Sequence, residues 1–262
     1  MNQHEKGERF RAMHEGDPFV VPNPWDVGSA RVLQGLGFPA LTSTSSGFAF
    51  TLGRKDGDAS LDEVVAHVAA VADATDVPLA VDLEHGHGPT AADAARAIER
   101  VAEAGAVGGS IEDWDPLNRV LYPIDEAAER VAAASQAARA LGFPFTLAGR
   151  AENHLRSDGD LDETIARLRA YEAAGADVLY APGLRTTDAI RAVCEAVGKP
   201  VNVLARPDLC RDDIFAAGAQ RISVGGALTW VATAALVEAA TRIRDDGDFS
   251  TLGAGPPRDW LL

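Results

Sequence analysis

Cysteine is almost missing from this chain: Cys194 and Cys210 are the only two. Two thiols cannot build a disulfide framework, nor a thiolate metal site by themselves. A reducing compartment, and so a cytoplasmic location, is expected. Lysine is scarcer than arginine and occurs only as Lys6, Lys55 and Lys199. Positive charge as a whole is short, with 24 Lys and Arg against 39 Asp and Glu, a net charge of −15. That balance excludes a nucleic-acid partner, which needs a basic surface, and equally an anionic membrane surface. Long apolar runs are also lacking. The uncharged stretch 32–53 is interrupted by Gln34, Pro39 and the hydroxyls of 42–46, and the uncharged stretch 222–237 has 16 residues and includes Gly225, Gly226 and Thr229. Neither supplies the ~20 apolar residues that span a bilayer. The first sixteen residues are charged and carry no apolar run, so no signal peptide is expected.

What is present is a globular composition, 47% hydrophobic and 24% charged over 262 residues. One local pattern recurs. An Ala-rich helical segment ends near a glycine, and a short apolar run rich in β-formers follows. The runs begin near Gly37, Asp76, Gly105, Gly142, Gly175, Gly198 and Gly218. Glycine takes the left-handed cap that ends a helix. A short, uniformly apolar run reads as a strand buried on both faces of a parallel sheet. With Phe19-Val20-Val21 ahead of them, these make eight strands alternating with helices. The expected fold is therefore α/β, a (β/α)8 TIM-type barrel forming one domain over 1–262, with a loop-like tail from about 245. A doubly wound open sheet is the alternative, but no G-x-G-x-x-G follows a strand. The tail ends in Trp260-Leu261-Leu262, an apolar tip suited to docking on a neighbouring subunit.

Barrel active sites lie at the C-terminal ends of the strands. Asp82 and Glu84 follow the third apolar run, Glu112 the fourth and Arg150 the fifth. Two apart, Asp82 and Glu84 would share one face of a strand. Three converging carboxylates repel, and a divalent cation resolves the conflict; oxygen ligands suit Mg2+, with Mn2+ as the alternative. Arg150 offers a bidentate fork to a carboxylate. The hydroxyls of 42–46 follow the second run and could hold the other end of a small anion. Helix capping or salt bridging would explain any one of these acids, but not the whole set on one rim. His85 and His87 are expected to line a pocket and cap a turn, His154 is a weaker candidate, and His67 is expected to be structural.

These residues resemble the isocitrate lyase/phosphoenolpyruvate mutase superfamily. The resemblance runs from about Pro22 to Ala240 and is carried by Asn23-Pro24-Trp25-Asp26, Leu52-Gly53-Arg54-Lys55-Asp56, Asp82-Leu83-Glu84-His85-Gly86-His87-Gly88, Ser110-Ile111-Glu112-Asp113, Ala148-Gly149-Arg150-Ala151-Glu152, Val201-Asn202 and Arg221-Ile222-Ser223-Val224-Gly225-Gly226. It implies a Mg2+ ion at the barrel mouth with a small 2-oxo acid chelated to it. Asp82 would be the direct ligand, with Glu84 and Glu112 acting through water. Arg150 would bind the substrate carboxylate; Trp25, Thr42, Thr44, Ser45, Ser46 and Asn202 would complete the substrate site. Asp56, Glu112 and Arg150 are the implied catalytic set, and Asp56, a hydroxyl or a metal-bound water would shuttle the proton. The implied assembly is a homo-oligomer, a tetramer or dimer, exchanging the helix at 229–244 between barrels.

The departures narrow the function. Isocitrate-type lyases carry a Lys-[Lys/Arg]-Cys-Gly-His loop after the fourth strand. Here 112–122 runs Glu-Asp-Trp-Asp-Pro-Leu-Asn-Arg-Val-Leu-Tyr, without cysteine, and is expected to lead at once into the next helix. The Lys-Thr-Asn gate of phosphonomutases is missing too, and Asn118 and Arg119 are the nearest stand-ins. A short gate suits carbon–carbon cleavage through a metal-stabilised enolate. The expected function is a Mg2+-dependent lyase acting on a small 2-oxo acid, close to an oxaloacetate decarboxylase. Phosphonopyruvate hydrolysis or phosphonomutase chemistry is the second reading. A binding protein without turnover is the third.

Overall fold

A computed structural model describes residues 1–253. Helix α1 (Gln3–Met13) precedes β1 (Phe19–Val21), α2 (Val27–Gly35), β2 (Leu41–Thr42), α3 (Ser45–Thr51), α4 (Leu61–Ala74), β3 (Leu79–Asp82), α5 (Ala91–Glu103) and β4 (Gly108–Glu112). A small hairpin follows, β5 (Trp114–Asp115) with β6 (Val120–Leu121), and then α6 (Ile124–Ala140). The second half runs β7 (Thr146–Arg150), α7 (Asn153–Arg156), α8 (Leu161–Ala173), β8 (Val178–Tyr180), α9 (Thr187–Ala196), β9 (Val201–Leu204), α10 (Arg211–Ala216), β10 (Arg221–Ser223) and α11 (Ala227–Asp246).

Eight parallel strands lie in the order β1-β10-β9-β8-β7-β4-β3-β2. This is the expected (β/α)8 barrel. Its seam falls between β1 and β2. There the Thr42 amide donates to the Pro22 carbonyl at 3.1 Å. Asn23 adds a side-chain stitch: its Nδ2 donates to the Ser43 carbonyl at 2.8 Å, and its Oδ1 accepts from the amides of Val224 and Gly225. One buried amide thus ties the upper ends of three strands together.

The helices start where the chain supplies caps. Asn2, Asp26, Ser60 and Thr90 each close a capping box, which satisfies amides that would otherwise be orphaned. At Gly175 the chain leaves α8 with φ +98°, and a Cβ there would also strike Ser135 Oγ. Outward strand residues such as Val81, Leu147, Leu179, Val203 and Ile222 form the apolar core under the helices. Inward positions alternate with them and are far more polar.

Three further features complete the barrel. The charged N-terminal segment is a helix, and α1 plugs the barrel floor with Phe10, which packs with Val21, Ala40 and Ala80. A Cβ at Gly108 would lie 2.8 Å from the Phe10 ring, so the plug requires glycine there. The 112–122 segment forms the β5–β6 hairpin and does not lead at once into α6. The last helix ends at Asp246, and a 3-10 turn follows at Ser250–Gly253. The Trp260-Leu261-Leu262 tip lies outside the described residues. Only Thr229 of α11 is buried, and Trp230, Val231, Leu236 and Val237 are exposed. Among the described residues no helix is long and apolar enough to cross a membrane.

Candidate active site

The β3, β4 and β7 strands pair in register, so that Asp82 sits beside Ser110, and Glu112 beside Arg150. This places an arginine among acids. Arg150 Nη1 lies 3.4 Å from Asp82 Oδ1 and 3.3 Å from Glu112 Oε2. Ser45 reaches across from α3, and its hydroxyl donates to Asp82 Oδ2 at 3.1 Å. Asp82, Glu84, Glu112, Asp56, Arg150 and Ser45 therefore surround one mouth.

Glu84 arrives there by a different route from the one expected. Strand β3 ends at Asp82, and Glu84 stands in a left-handed turn at φ 51°. The two acids meet because the chain turns after Asp82, not because they share a pleat. The turn is fastened by the Glu84 amide donating to Asp82 Oδ1 at 3.2 Å and by the Glu112 amide donating to the Glu84 carbonyl at 2.9 Å. Beneath it lies Arg130, buried, whose Nη2 donates to the carbonyls of His85 and Gly88.

Two connected spaces meet at this cluster. An inner cavity of about 190 Å3 is lined by Thr42, Thr44, Ser45 and Ser46, by Asp56, Asp82 and Arg150, and by Asn202 deeper down. An outer one of about 330 Å3 is lined by Asp56, Glu84, His85, Glu112, Trp114 and Arg156. Ser45, Asp56 and Arg150 border both. Trp25 borders neither; it lies beside Gly47, so the structure does not bring this residue to the site. Thr44 caps α3 through the Gly47 amide. The Asn202 side chain is engaged on both sides, accepting from Arg221 Nε at 2.8 Å and donating to Ser223 Oγ at 2.9 Å. His85 lines the outer space, whereas His87 and His154 do not. His67 is stacked on Phe48 in the core.

Crowded acids hold their protons. Burial pushes the Glu84 carboxyl up to about 8, with Asp82 and Asp56 adding to the shift. Burial raises Glu112 well above its usual range; Arg150 opposes this, and Glu152, Asp82 and Glu84 reinforce it. Asp56, on an exposed loop, is raised by partial desolvation, against the Ser45 hydroxyl and with the help of Asp82. Among the described residues no three or more His, Cys, Asp and Glu side chains are grouped so as to hold a metal ion by themselves.

A pH dependence follows. Unfolded, Glu84 releases its proton near the ordinary 4.5; folded, it keeps it to about 8. Between those values the unfolded chain binds fewer protons, so stability falls as pH rises. In chelator, the wild-type melting temperature is expected to fall across that window by more than that of Glu84→Gln. Parallel profiles for the two proteins would mean that Glu84 is ionised in the folded state.

Sequence reasoning missed the layer that holds Arg150. Fully buried Glu152 accepts from Arg150 Nε at 2.5 Å and from Arg156 Nε at 3.1 Å. Its amide donates to Asp113 Oδ1 at 2.8 Å. Asp113 Oδ2 in turn accepts from Arg167 Nη1 at 3.0 Å and from the Tyr171 hydroxyl at 2.5 Å. The Arg-x-Glu spacing at 150–152 was a signal for Glu152. No local signal links Arg167 and Tyr171, on α8, to Asp113. Over the mouth, Arg156 stacks on Trp114 of the hairpin at 4.8 Å.

Known proteins share this framework. A protein of Burkholderia cenocepacia J2315 with a solved structure is 48% identical, and the match covers 99% of this chain and 95% of that one with a TM-score of 0.94. An oxaloacetate decarboxylase of Rhodopseudomonas palustris (strain BisB5) is 31% identical over 90% of this chain and 84% of its own. The structure of oxaloacetate acetylhydrolase in complex with the product oxalate is 28% identical, covers 100% and 94% of the two chains, and gives a TM-score of 0.90. The phosphoenolpyruvate phosphomutase family model matches residues 10–244. The chain thus belongs to the phosphoenolpyruvate phosphomutase family, within the phosphoenolpyruvate mutase/isocitrate lyase superfamily of carbon–carbon lyases and mutases.

Proposed function

We propose that the protein is a Mg2+-dependent lyase, with Mn2+ as the alternative ion, that cleaves a carbon–carbon bond in a small 2-oxo acid. The observation that carries this reading is the ring of Asp56, Asp82, Glu84 and Glu112 around Arg150 where the two polar cavities meet. Acids pressed together until burial and mutual repulsion raise Glu84 and Glu112 fit a divalent cation. Mg2+ takes one or two carboxylates and keeps several waters, so it needs only one direct protein ligand here. Asp82 would hold it directly, and Glu84 and Glu112 through water. When bound, the ion would supply Lewis-acid stabilisation of the negative charge that develops as the bond breaks.

The chain's own groups have separate tasks. Arg150, kept protonated by its acidic neighbours, orients the substrate carboxylate. The hydroxyls of Thr42, Thr44, Ser45 and Ser46 lie on the opposite wall and donate to the other end of the acid. Asp56, with its raised carboxyl, carries the proton at the open side of the mouth. The hairpin and the Arg156–Trp114 stack partly cover the entrance, and a decarboxylation or retro-aldol cleavage tolerates this degree of water access. Two relatives named above take their names from reactions of oxaloacetate, which supports a short 2-oxo di-acid as the substrate class. The exposed apolar side chains of α11 support a homo-oligomer, tetramer or dimer, with that helix exchanged between subunits. The low cysteine content supports a cytoplasmic location.

The test is an assay of oxaloacetate and related 2-oxo and 2-hydroxy di-acids with and without Mg2+, following loss of the acid and formation of the shorter product. Mg2+-dependent cleavage is expected. Phosphate release from phosphonopyruvate would assign P–C chemistry instead. Tight binding without product would make the protein a binder.

A further inference from the structure

The barrel interior carries a second cation that this reading leaves unused. Arg221 opens β10, pairs in register with Phe19 and Asn202, and is 6% exposed. Its Nε donates to Asn202 Oδ1, and its Nη1 donates to His14 Nε2 at 3.1 Å. His14 cannot serve as a counter-charge. Its Nδ1 faces the Phe10 carbonyl at 2.8 Å, which leaves Nε2 as the acceptor of a neutral ring. Burial, with Arg221 next to it, pushes the imidazole down to about 3. Among the described residues Arg221 has no carboxylate partner and its Nη2 has no acceptor, unlike Arg150 or Arg167, which are each held by acids.

A buried guanidinium without a counter-ion is costly. Arg221 also lines the inner cavity, the same one that Asp82 and Arg150 border above. Thr146 and Ser223 line that cavity as well, whereas its two carboxylates, Asp56 and Asp82, stand at the mouth. The cavity is therefore acidic at its mouth and cationic at its floor. Its ~190 Å3 is far above the roughly 10–15 Å3 that a single water needs, ample for a small anion.

We propose that Arg221 is an anion-recognition subsite at the barrel floor, taking a small monoanionic group such as a carboxylate through its free guanidinium edge and the Thr146 hydroxyl. A planar carboxylate matches the guanidinium fork. Two sources share this chemistry: a free monoanion such as formate or chloride, and the distal carboxylate of a di-acid substrate reaching down the cavity. The subsite stands on the surroundings of Arg221; only its occupation by substrate rests on the function proposed above.

Thermal shift with sodium formate and with sodium chloride, at constant ionic strength balanced by gluconate, tests the subsite without any turnover. A ligand that binds only the folded state raises the melting temperature by mass action. The wild-type protein is expected to show a saturating rise with formate that Arg221→Met abolishes and Arg221→Lys retains in weakened form. Thr146→Val, which leaves the guanidinium and its bonds to Asn202 and His14 in place, should weaken formate binding several-fold; it serves also if Arg221→Met does not fold. No formate- or chloride-specific rise in the wild type, or an equal rise in Arg221→Met and Thr146→Val, overturns the proposal. Steady-state kinetics then separates the sources. A tenfold or larger rise in KM for a di-acid in Arg221→Met, with a mono-acid analogue unaffected, identifies the substrate carboxylate. An unchanged KM, with the formate shift lost, identifies a free anion.

Discussion

Asp82→Ala is expected to lower kcat/KM by about 1,000-fold, the upper range for removing one group that stabilises developing charge, while the protein still folds. Asp82 is where the site converges. Its Oδ2 accepts from the Ser45 hydroxyl, its Oδ1 from the Glu84 amide, and Arg150 Nη1 touches both oxygens. Removing it strips the cation site of its direct ligand and releases Ser45. Folding should survive because Asp82 is partly open to the cavity and Arg150 keeps Glu112 and Glu152 as partners. The variant should also lose any Mg2+-dependent rise in melting temperature. Asp82→Asn keeps an acceptor for Ser45 but not the charge, so it separates positioning from cation binding. If Asp82→Ala retains activity within tenfold of wild type, the acid ring is structural and the proposed site is wrong.

Asp113→Ala should act on stability, by roughly 3–5 kcal/mol, the cost of breaking a buried ion pair from one side. Asp113 is 1% exposed and receives the Arg167 guanidinium, the Tyr171 hydroxyl and the Glu152 amide. Without it, Arg167 keeps Glu163, on the partly exposed side, and the Tyr122 carbonyl, but Tyr171 and the Glu152 amide are left without acceptors in the interior. At about 2–4 °C per kcal/mol for a domain of this size, the melting temperature should fall by roughly 10 °C. Tyr171→Phe removes one neutral donor and should cost only about 1 kcal/mol. Because Glu152 holds Arg150, Asp113→Ala should also raise KM for a carboxylate substrate at temperatures where the variant is folded. A melting point within 2 °C of wild type would show that the network relaxes without it.

The alternation of Ala-rich helices with short apolar runs was enough to place eight strands, because burial on both faces of a parallel strand leaves a local signature. The rim position of Asp82, Glu112 and Arg150 came with it, since a strand's end is itself a local property. Glu84 was correctly placed at the mouth for the wrong reason: its left-handed turn has no signature in a non-glycine residue. Trp25, implied for the substrate site by the resemblance, borders neither cavity. The N-terminal helix has a capping box at Asn2 that is legible, yet its role as a floor plug depends on Gly108, a hundred residues away.

The sequence by itself thus determined the repeat, the strand ends and the chemical inventory of the rim, all of which depend on contacts close along the chain. Which acid faces which cation was decided only in the tertiary structure. Arg150 is held by three acids from three segments, Arg167 by one on its own helix and one on a distant loop, and Arg221 by none among the described residues. Pairings of that kind follow from strand order and barrel register, which bring together side chains far apart in sequence, and it is these that give otherwise similar arginines different electrostatic surroundings.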